Sequence, residues 1–581
     1  MHKVKTIYLN ILMKRKLSFL VALFLAAATS FAAPVKPGFK KTLPTVDGNM
    51  ITAELQGDEF LSWWQASDGK RYTLSEDGNT FVEAQFEKMQ KRARAMRAPL
   101  KGGIGGDHIT YEGKKKGLII LVEFADKKFQ AKHDKAYYEA LVNQPGYTND
   151  EGCIGSVHDY YLAQSNGKFD LSFDVVGPVC TSQGYAYYGK NVGNNQDVNV
   201  GAMLKEAANK AAPQVNLADY DWDGDGSADQ VFFLYAGLGE NASNDPNTIW
   251  AHMHYMSYRG GKLSYSTGKI DRYACASELM GIMNSSGKYT GETQPIGIGT
   301  ICHEFSHCLG FPDTYDTNGQ QQYGMGYYDL LSNGNYLGEG FTPPNFTAWE
   351  RIYAGWVEPI VLDKAATIKA MKSSTDYGRP FIMYNDNNKD EYYLFENRQK
   401  TGWDRGLYGD GLMVTHVDYL KERWTSNTVN TTGYDHQRMA LVPADDNEVL
   451  STSGIKGDLY PYVYKKNDGT FRILNNELTD TSSPAAMLWN SHNPKMGETK
   501  MGKPVTEITR NDDGTVSFLV MGGDDNNVLD NSTATGIATL KTTDSKVADR
   551  RVYSIDGRLL GTDINAMPKG LYIVGGRKVV K

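Results

Sequence analysis

The sequence predicts a multidomain protein: a small N-terminal domain, an α/β domain, an all-β domain and a small C-terminal β module. Three observations predict it. Continuous apolar runs at Gly117–Phe124 (GLIILVEF) and Gln230–Tyr235 (QVFFLY) read as strands buried on both faces, with helical stretches at Ser156–Ser165 and Ala202–Ala212 between them. From about residue 360 to 523 the pattern changes to short strands and turns rich in aromatic and β-branched residues, which reads as a β-sandwich-like domain. A polar, turn-rich stretch, Gly522–Ser532 (GGDDNNVLDNS), then sets apart a last strand-rich segment; we place a linker at 524–536 and the C-terminal module at 537–581.

In chain order, the N-terminus reads first as a secretory signal. Lys14, Arg15 and Lys16 precede an apolar core, Leu17–Ala28, and Ser30-Phe31-Ala32 supplies small residues for cleavage after Ala32. Met13 is a second candidate start. The apolar run is shorter than the ~20 residues a membrane span needs. No later stretch is long and apolar enough either, so the expectation is a secreted or cell-surface protein without a stable membrane span.

Residues 33–106 form the N-terminal domain. Thr52–Leu55 and Arg71–Leu74 read as strands between turns at Asp47-Gly48, Gly57-Asp58, Asp68-Gly69 and Asp77-Gly78. A basic helical stretch follows, Glu87–Arg97, with Lys91, Arg92, Arg94 and Arg97, and then a glycine-rich connector, Gly102–Gly106. A small domain, exposed basic residues and a flexible linker is the layout of a cleavable propeptide; the plainer alternative is an N-terminal domain with a solvated basic helix.

Composition narrows the function classes. Of 581 residues, 40% are hydrophobic and 22% charged, as in a folded soluble protein, and the net charge of −7 provides no field to attract nucleic acid. Five cysteines, Cys153, Cys180, Cys275, Cys302 and Cys308, are too few and too odd in number for a disulfide scaffold. A Cys153–Cys180 bridge and buried free thiols both remain open.

The α/β domain, placed at 107–359, carries a metal motif. In His303-Glu304-Phe305-Ser306-His307 the histidines are spaced i, i+4, so a helix puts both imidazoles on one face. Glu304, beside the first ligand, can take a proton from water at the metal. Gly299-Thr300 offers a helix start and Gly310 a left-handed stop. A catalytic zinc needs a third protein ligand and an open position. A sharp turn at Gly310 brings Asp313 back toward the histidines, so the stretch reads H-E-x-x-H-x-x-G-x-x-D.

A second cluster lies upstream. Asp221, Asp223, Asp225 and Asp229 occupy positions 1, 3, 5 and 9 of a loop resembling the start of an EF-hand, with Gly226 at position 6 and Ser227 at position 7. Position 12 is Phe232, so the bidentate glutamate is missing. These side chains are the candidates for a structural calcium site.

The stretch HEFSHCLGFPDTYD, His303–Asp316, resembles the immune-inhibitor-A-like secreted bacterial metalloproteases, whose pattern is H-E-x-x-H-x-x-G-x-P-D-x-Y-D. Further blocks resemble the same family: Gly117–Phe129, Gly155–Leu171, Asp221–Gly237, Ile249–His252, Phe346–Val357, Glu391–Asp404 and Gly411–Asp418. The resemblance covers roughly residues 40 to 523. It implies a metzincin-like catalytic domain in which His303, His307 and Asp313 bind zinc and Glu304 is the general base, hydrolysing peptide bonds in protein or peptide substrates.

One departure is Leu331, in Tyr328–Gly334, where a methionine is expected beneath the zinc; leucine has similar volume, and such swaps usually cost under ~1.5 kcal/mol. Tyr336, just beyond this turn, is a candidate oxyanion stabiliser, with a merely packed tyrosine as the plainer alternative. The N-terminal domain has no cysteine, so a thiolate plug on the metal is excluded; Asp47, Asp58 and Asp68 are candidates for a carboxylate in that role. The rival reading of the whole is a catalytically inactive surface binding protein on a protease scaffold. Finally, Val552–Arg558 and Pro568–Lys581 resemble the C-terminal sorting modules of the type IX export route, which implies contact with that machinery.

Overall fold

The computed structural model describes residues 31–75, 77–96, 111–192, 196–243, 245–319, 322–449, 454–491, 499–532 and four short strands beyond. Residues 1–30 of the expected signal (1–32), Arg97 and the connector Gly102–Gly106 lie outside the described residues, whereas the signal's last two residues, Phe31 and Ala32, are described as strand. The chain divides into two units, Met1–Asn531 and Ser532–Lys581.

The first unit opens with a two-residue strand, β1 (Phe31–Ala32), followed by β2 (Lys40–Pro44), β3 (Met50–Gly57), β4 (Ser62–Ala66), β5 (Arg71–Leu74) and β6 (Phe81–Glu83). Strands β2 to β6 form an antiparallel meander in sequence order. Alternation along β4 sends Trp63 and Trp64 to opposite faces. Trp63 packs with Leu61 against Ala93 of the helix Phe86–Met96. Trp64, Leu55, Tyr72 and Phe81 enclose Trp250, which belongs to the α/β region. The N-terminal domain therefore completes its core with a side chain borrowed from its neighbour.

The α/β region contributes β7 (Gly113–Glu123), β8 (Phe169–Cys180), β9 (Val231–Leu238), β10 (His252–Tyr255), a hairpin β11 (Leu263–Tyr265) and β12 (Gly268–Ile270), β13 (Arg272–Met283) and β14 (Tyr289–Pro295). The main sheet runs β1-β10-β13-β9-β7-β8, with β14 also paired to β13. Strands β8, β7, β9 and β13 are parallel, and β10 runs antiparallel beside β13. Both faces are covered, which is why β7 reads as an unbroken apolar run. Leu118, Ile120 and Val122 face the helix Val200–Ala211; Ile119 and Leu121 face the helices Lys135–Asn143, Val157–Gln164 and Ile298–Cys308.

Beyond it lie β15 (Ile360–Val361), β16 (Ala366–Met371), β17 (Phe381–Tyr384), β18 (Glu391–Arg398), β19 (Gly411–Asp418), β20 (Met439–Leu441), β21 (Tyr462–Lys465), β22 (Phe471–Asn475), β23 (Val505–Arg510), β24 (Val516–Val520) and β25 (Val528–Leu529). Sheets ordered β15-β17-β18-β19-β20 and β23-β24-β16-β25 share a core that includes Ile368, Phe381, Phe395, Val414 and Phe518. Arg398 ties this sandwich to the α/β region. Its buried guanidinium pairs with Asp404 and donates to the carbonyls of Tyr328 and Asn345.

Two expectations change here. The stretch 524–531 is not linker: β25 pairs with β16, and Asn531 is buried. Its asparagines donate to the carbonyls of Ala365, Lys372 and Arg379, so a polar composition serves backbone pairing rather than solvent. Nor is there a Cys153–Cys180 bridge. All five cysteines are free thiols, with Cys153 buried and Cys180 exposed.

In the second unit β26 (Val552–Tyr553), β27 (Leu559–Gly561), β28 (Leu571–Val574) and β29 (Arg577–Val580) form an antiparallel sheet ordered β27-β26-β28-β29. Among the described residues of both units, no helix is long and apolar enough to cross a membrane.

Candidate metal centre

The helix Ile298–Cys308 carries the histidine pair and is wholly buried. It ends in a Schellman motif: Phe311 N–H donates to Ser306 O, Gly310 N–H to His307 O, and Gly310 has φ +96°. That turn sends the chain back over the histidines. His303 Nε2 and His307 Nε2 lie 3.1 Å apart, and each is 3.3 Å from Asp313 Oδ1.

The donor set fits zinc. Ligand atoms about 2.0–2.1 Å from a tetrahedral zinc lie about 3.3 Å from one another. Each imidazole makes its other hydrogen bond, Nδ1 to a backbone carbonyl: His303 to Leu330 O and His307 to Phe311 O, both 2.7 Å. This leaves each Nε2 lone pair turned toward Asp313. Burial lowers the His307 pKa against the pull of Asp313, which favours the neutral imidazole a metal requires. Burial alone raises the Asp313 carboxyl, but His307 and His303 outweigh it and hold the group well below the usual carboxylate range.

In the turn Tyr328–Gly334, Leu330 O accepts from His303 Nδ1, Leu331 O accepts from Thr314 N–H, and Leu331 itself is fully buried.

Asn427 was not foreseen. From the sandwich, its Nδ2 donates to Asp313 Oδ2 at 2.6 Å while its Oδ1 accepts from Asp313 N–H at 2.7 Å. One amide thus fixes both main chain and carboxylate of Asp313, the candidate third ligand, and turns Oδ1 to the histidines. The only sequence signal was a lone asparagine 114 residues downstream, and spacing cannot reveal that.

Glu304 is buried beside the triad, and Ala33 N–H donates to its Oε1 at 2.7 Å. Burial pushes its carboxyl well above the usual range; the Ala33 N–H pulls the other way, and the charges of Asp313 and Glu59 add to the rise. The N-terminal segment therefore lies in the site. Phe31 and Ala32 pair antiparallel with Met253 and His252 on β10. Ala33 O accepts from Trp250 Nε1, Pro34 O from Tyr336 OH at 2.6 Å, and Lys36 N–H donates to Asn241 O. The expected carboxylates divide: Asp58 is buried beside Tyr315, while Asp47 and Asp68 are exposed. Glu59, its neighbour, was not singled out, yet it is the N-terminal carboxylate whose charge Glu304 feels. Tyr336 holds the carbonyl of Pro34.

The acidic loop brings Asp221, Asp223 and Asp225 together, with carboxylate oxygens within 4.8 Å of one another. Asp229 turns away: Oδ2 accepts from Trp222 N–H and Oδ1 lies 3.7 Å from Arg272, whose guanidinium donates to Cys308 O at the end of the metal helix. Ser227 contributes its N–H to Asp225.

Comparison with known proteins points the same way. The chain is 28% identical over 322 residues to the pre-pro-metalloprotease PrtV of Vibrio cholerae serotype O1, covering 46% of this chain and 33% of the relative. It is 26% identical over 305 residues to immune inhibitor A of Bacillus thuringiensis subsp. alesti, covering 44% of this chain and 43% of the relative. The chain thus spans less than half the length of these curated relatives. Residues 108–356, which hold the triad, Glu304 and the acidic loop, match the catalytic domain of the immune inhibitor A peptidases, family M6.

Proposed function

We propose that this chain is a secreted zinc-dependent endopeptidase in a latent form. The observation that carries the reading is the pairing of a zinc-spaced triad, His303, His307 and Asp313, with a buried glutamate facing the nitrogen of Ala33. Zinc bound by the triad supplies a Lewis acid that polarises the scissile carbonyl and lowers the pKa of water. Glu304 takes the proton from water and delivers it to the leaving nitrogen, at the position where Ala33 N now lies. Strand β10 offers an edge on which an extended peptide pairs. Trp250 Nε1 and Tyr336 OH hold the carbonyls beyond the cut.

Residues 33–36 fill the place that substrate needs, which supports reading the N-terminal domain as a propeptide. The full chain is expected to be inert toward quenched casein and to gain activity on limited cleavage in the basic stretch 87–97, with a zinc chelator abolishing the gain. An uncleaved chain as active as the cleaved one would overturn latency. A cleaved, zinc-replete chain inert toward casein would overturn the protease reading.

For the acidic loop the reading is calcium on Asp221, Asp223 and Asp225. Three carboxylates so close repel one another without a cation. Through Asp229 and Arg272 the loop braces the last turn of the metal helix. Removal of calcium by dialysis in zinc-replete, calcium-free buffer is expected to lower the melting temperature and calcium alone to restore it; an unchanged melt sinks the assignment. The export reading of the C-terminal unit is supported by its sequence resemblance.

A further inference from the structure

Segment 33–36 also marks out subsites. Ala33 N, at 2.7 Å from Glu304, stands where the leaving nitrogen of a substrate must stand, and Phe31–Ala32 lies antiparallel on β10. In that register Lys36 is the fourth residue beyond the bond that would be cut. Its side chain is buried, and its Nζ donates to Glu339 at 2.6 Å and lies 3.5 Å from Met280 Sδ. Glu339 is 64% exposed, at the rim of the site.

The backbone at Glu339 is an independent sign. Gly338, Glu339 and Gly340 have φ of +56°, +57° and +85°. Glycine takes up such a conformation without cost, whereas a side chain there is strained, and strained residues cluster at ligand clamps. The middle of the three is nevertheless a glutamate. The same loop touches the start of the metal helix directly. A Cβ on Gly297 would lie 2.0 Å from Gly340 O, so main chain meets main chain there. The backbone that carries Glu339 is therefore held at a fixed offset from the metal helix.

We propose that Glu339 is a specificity-determining residue that favours lysine or arginine on the fourth residue past the cleaved bond. The proposal rests on the protease reading above and deepens it by naming the substrate class. A basic side chain lies along the slot that Lys36 occupies and ends on the carboxylate. An acidic one meets like charge there, and charge complementarity discriminates between partners.

The test uses the full chain, zinc-loaded and cleaved in its basic stretch, with two quenched peptides built on the chain's own Phe31–Lys36 sequence. One keeps lysine last and the other has glutamate there. Wild type is expected to favour the lysine peptide in kcat/KM by about tenfold, mostly through KM. Glu339→Gly, which relieves the backbone strain and so keeps the fold, is expected to bring the ratio to about one; Glu339→Lys inverts it. An equal ratio in wild type and Glu339→Gly overturns the proposal and makes the Lys36–Glu339 pair a tether of the propeptide only. If wild type cleaves casein but treats both peptides alike, the subsite alone fails. If it cleaves neither peptide nor casein, the protease reading fails and the proposal with it.

Discussion

Glu304→Ala in the cleaved chain is expected to keep one zinc and to lose casein hydrolysis by about 10²- to 10⁴-fold, the range a positioned general acid–base supplies. The separation of binding from chemistry follows from the hydrogen bonds around the triad. His303 and His307 are oriented by Leu330 O and Phe311 O, and Asp313 by Asn427; none of these contacts involves Glu304. Its removal leaves three ligands in place and takes away only the group at the scissile nitrogen. Glu304→Gln is the sharper variant, because it preserves shape and can still accept the Ala33 N–H while being unable to take a proton. Zinc content by elemental analysis and initial rates on quenched casein decide the matter. Loss of zinc in both variants would make Glu304 a ligand, and activity within tenfold of wild type would remove it from the chemistry.

How much of this was legible in the sequence depended on whether the cause was local. The i, i+4 histidines, the Schellman stop at Gly310 and the return of Asp313 are all set within a dozen residues, and the structure places them as the spacing predicts. Strand β7 was readable because burial on both faces leaves a continuous apolar run. The helix at Val157–Gln164 is fixed just as locally: Ser156 caps it and Asp159 completes a capping box. What was not legible came from contacts between distant segments. Asn427 reaches Asp313 from 114 residues downstream, and Trp250 completes the core of the N-terminal sheet. Ala33 meets Glu304 across 271 residues of sequence. None of these residues has a composition or period that sets it apart. The stretch 524–531 misled in the opposite direction: its asparagines look like solvent-facing linker, yet they pair with the carbonyls of neighbouring strands.

Gly299→Ala sets two opposite effects against each other in the helix that carries the metal. Helix propensity favours alanine over glycine by about 1 kcal/mol. Space forbids it: a Cβ at Gly299 would lie 2.0 Å from Asn335 O and 3.0 Å from Gly340 O. Both are main-chain atoms and cannot swing aside as a flexible side chain would. Overpacking of this kind costs about 3 kcal/mol, so the net effect is destabilising despite the better helix former. The displacement also falls on the loop that bears Tyr336 and Glu339, the residues holding Pro34 and Lys36 in the site. Gly299→Ala is therefore expected to lower the melting temperature by several degrees and to raise KM for peptides long enough to reach that loop. Gly406→Ala serves as the comparison, because its added Cβ meets nothing closer than Leu337 Cβ at 3.5 Å. If Gly299→Ala melts with wild type, the loop yields more readily than a backbone-to-backbone contact should. The metal helix and the loop of Tyr336 and Glu339 would then not be held at a fixed offset.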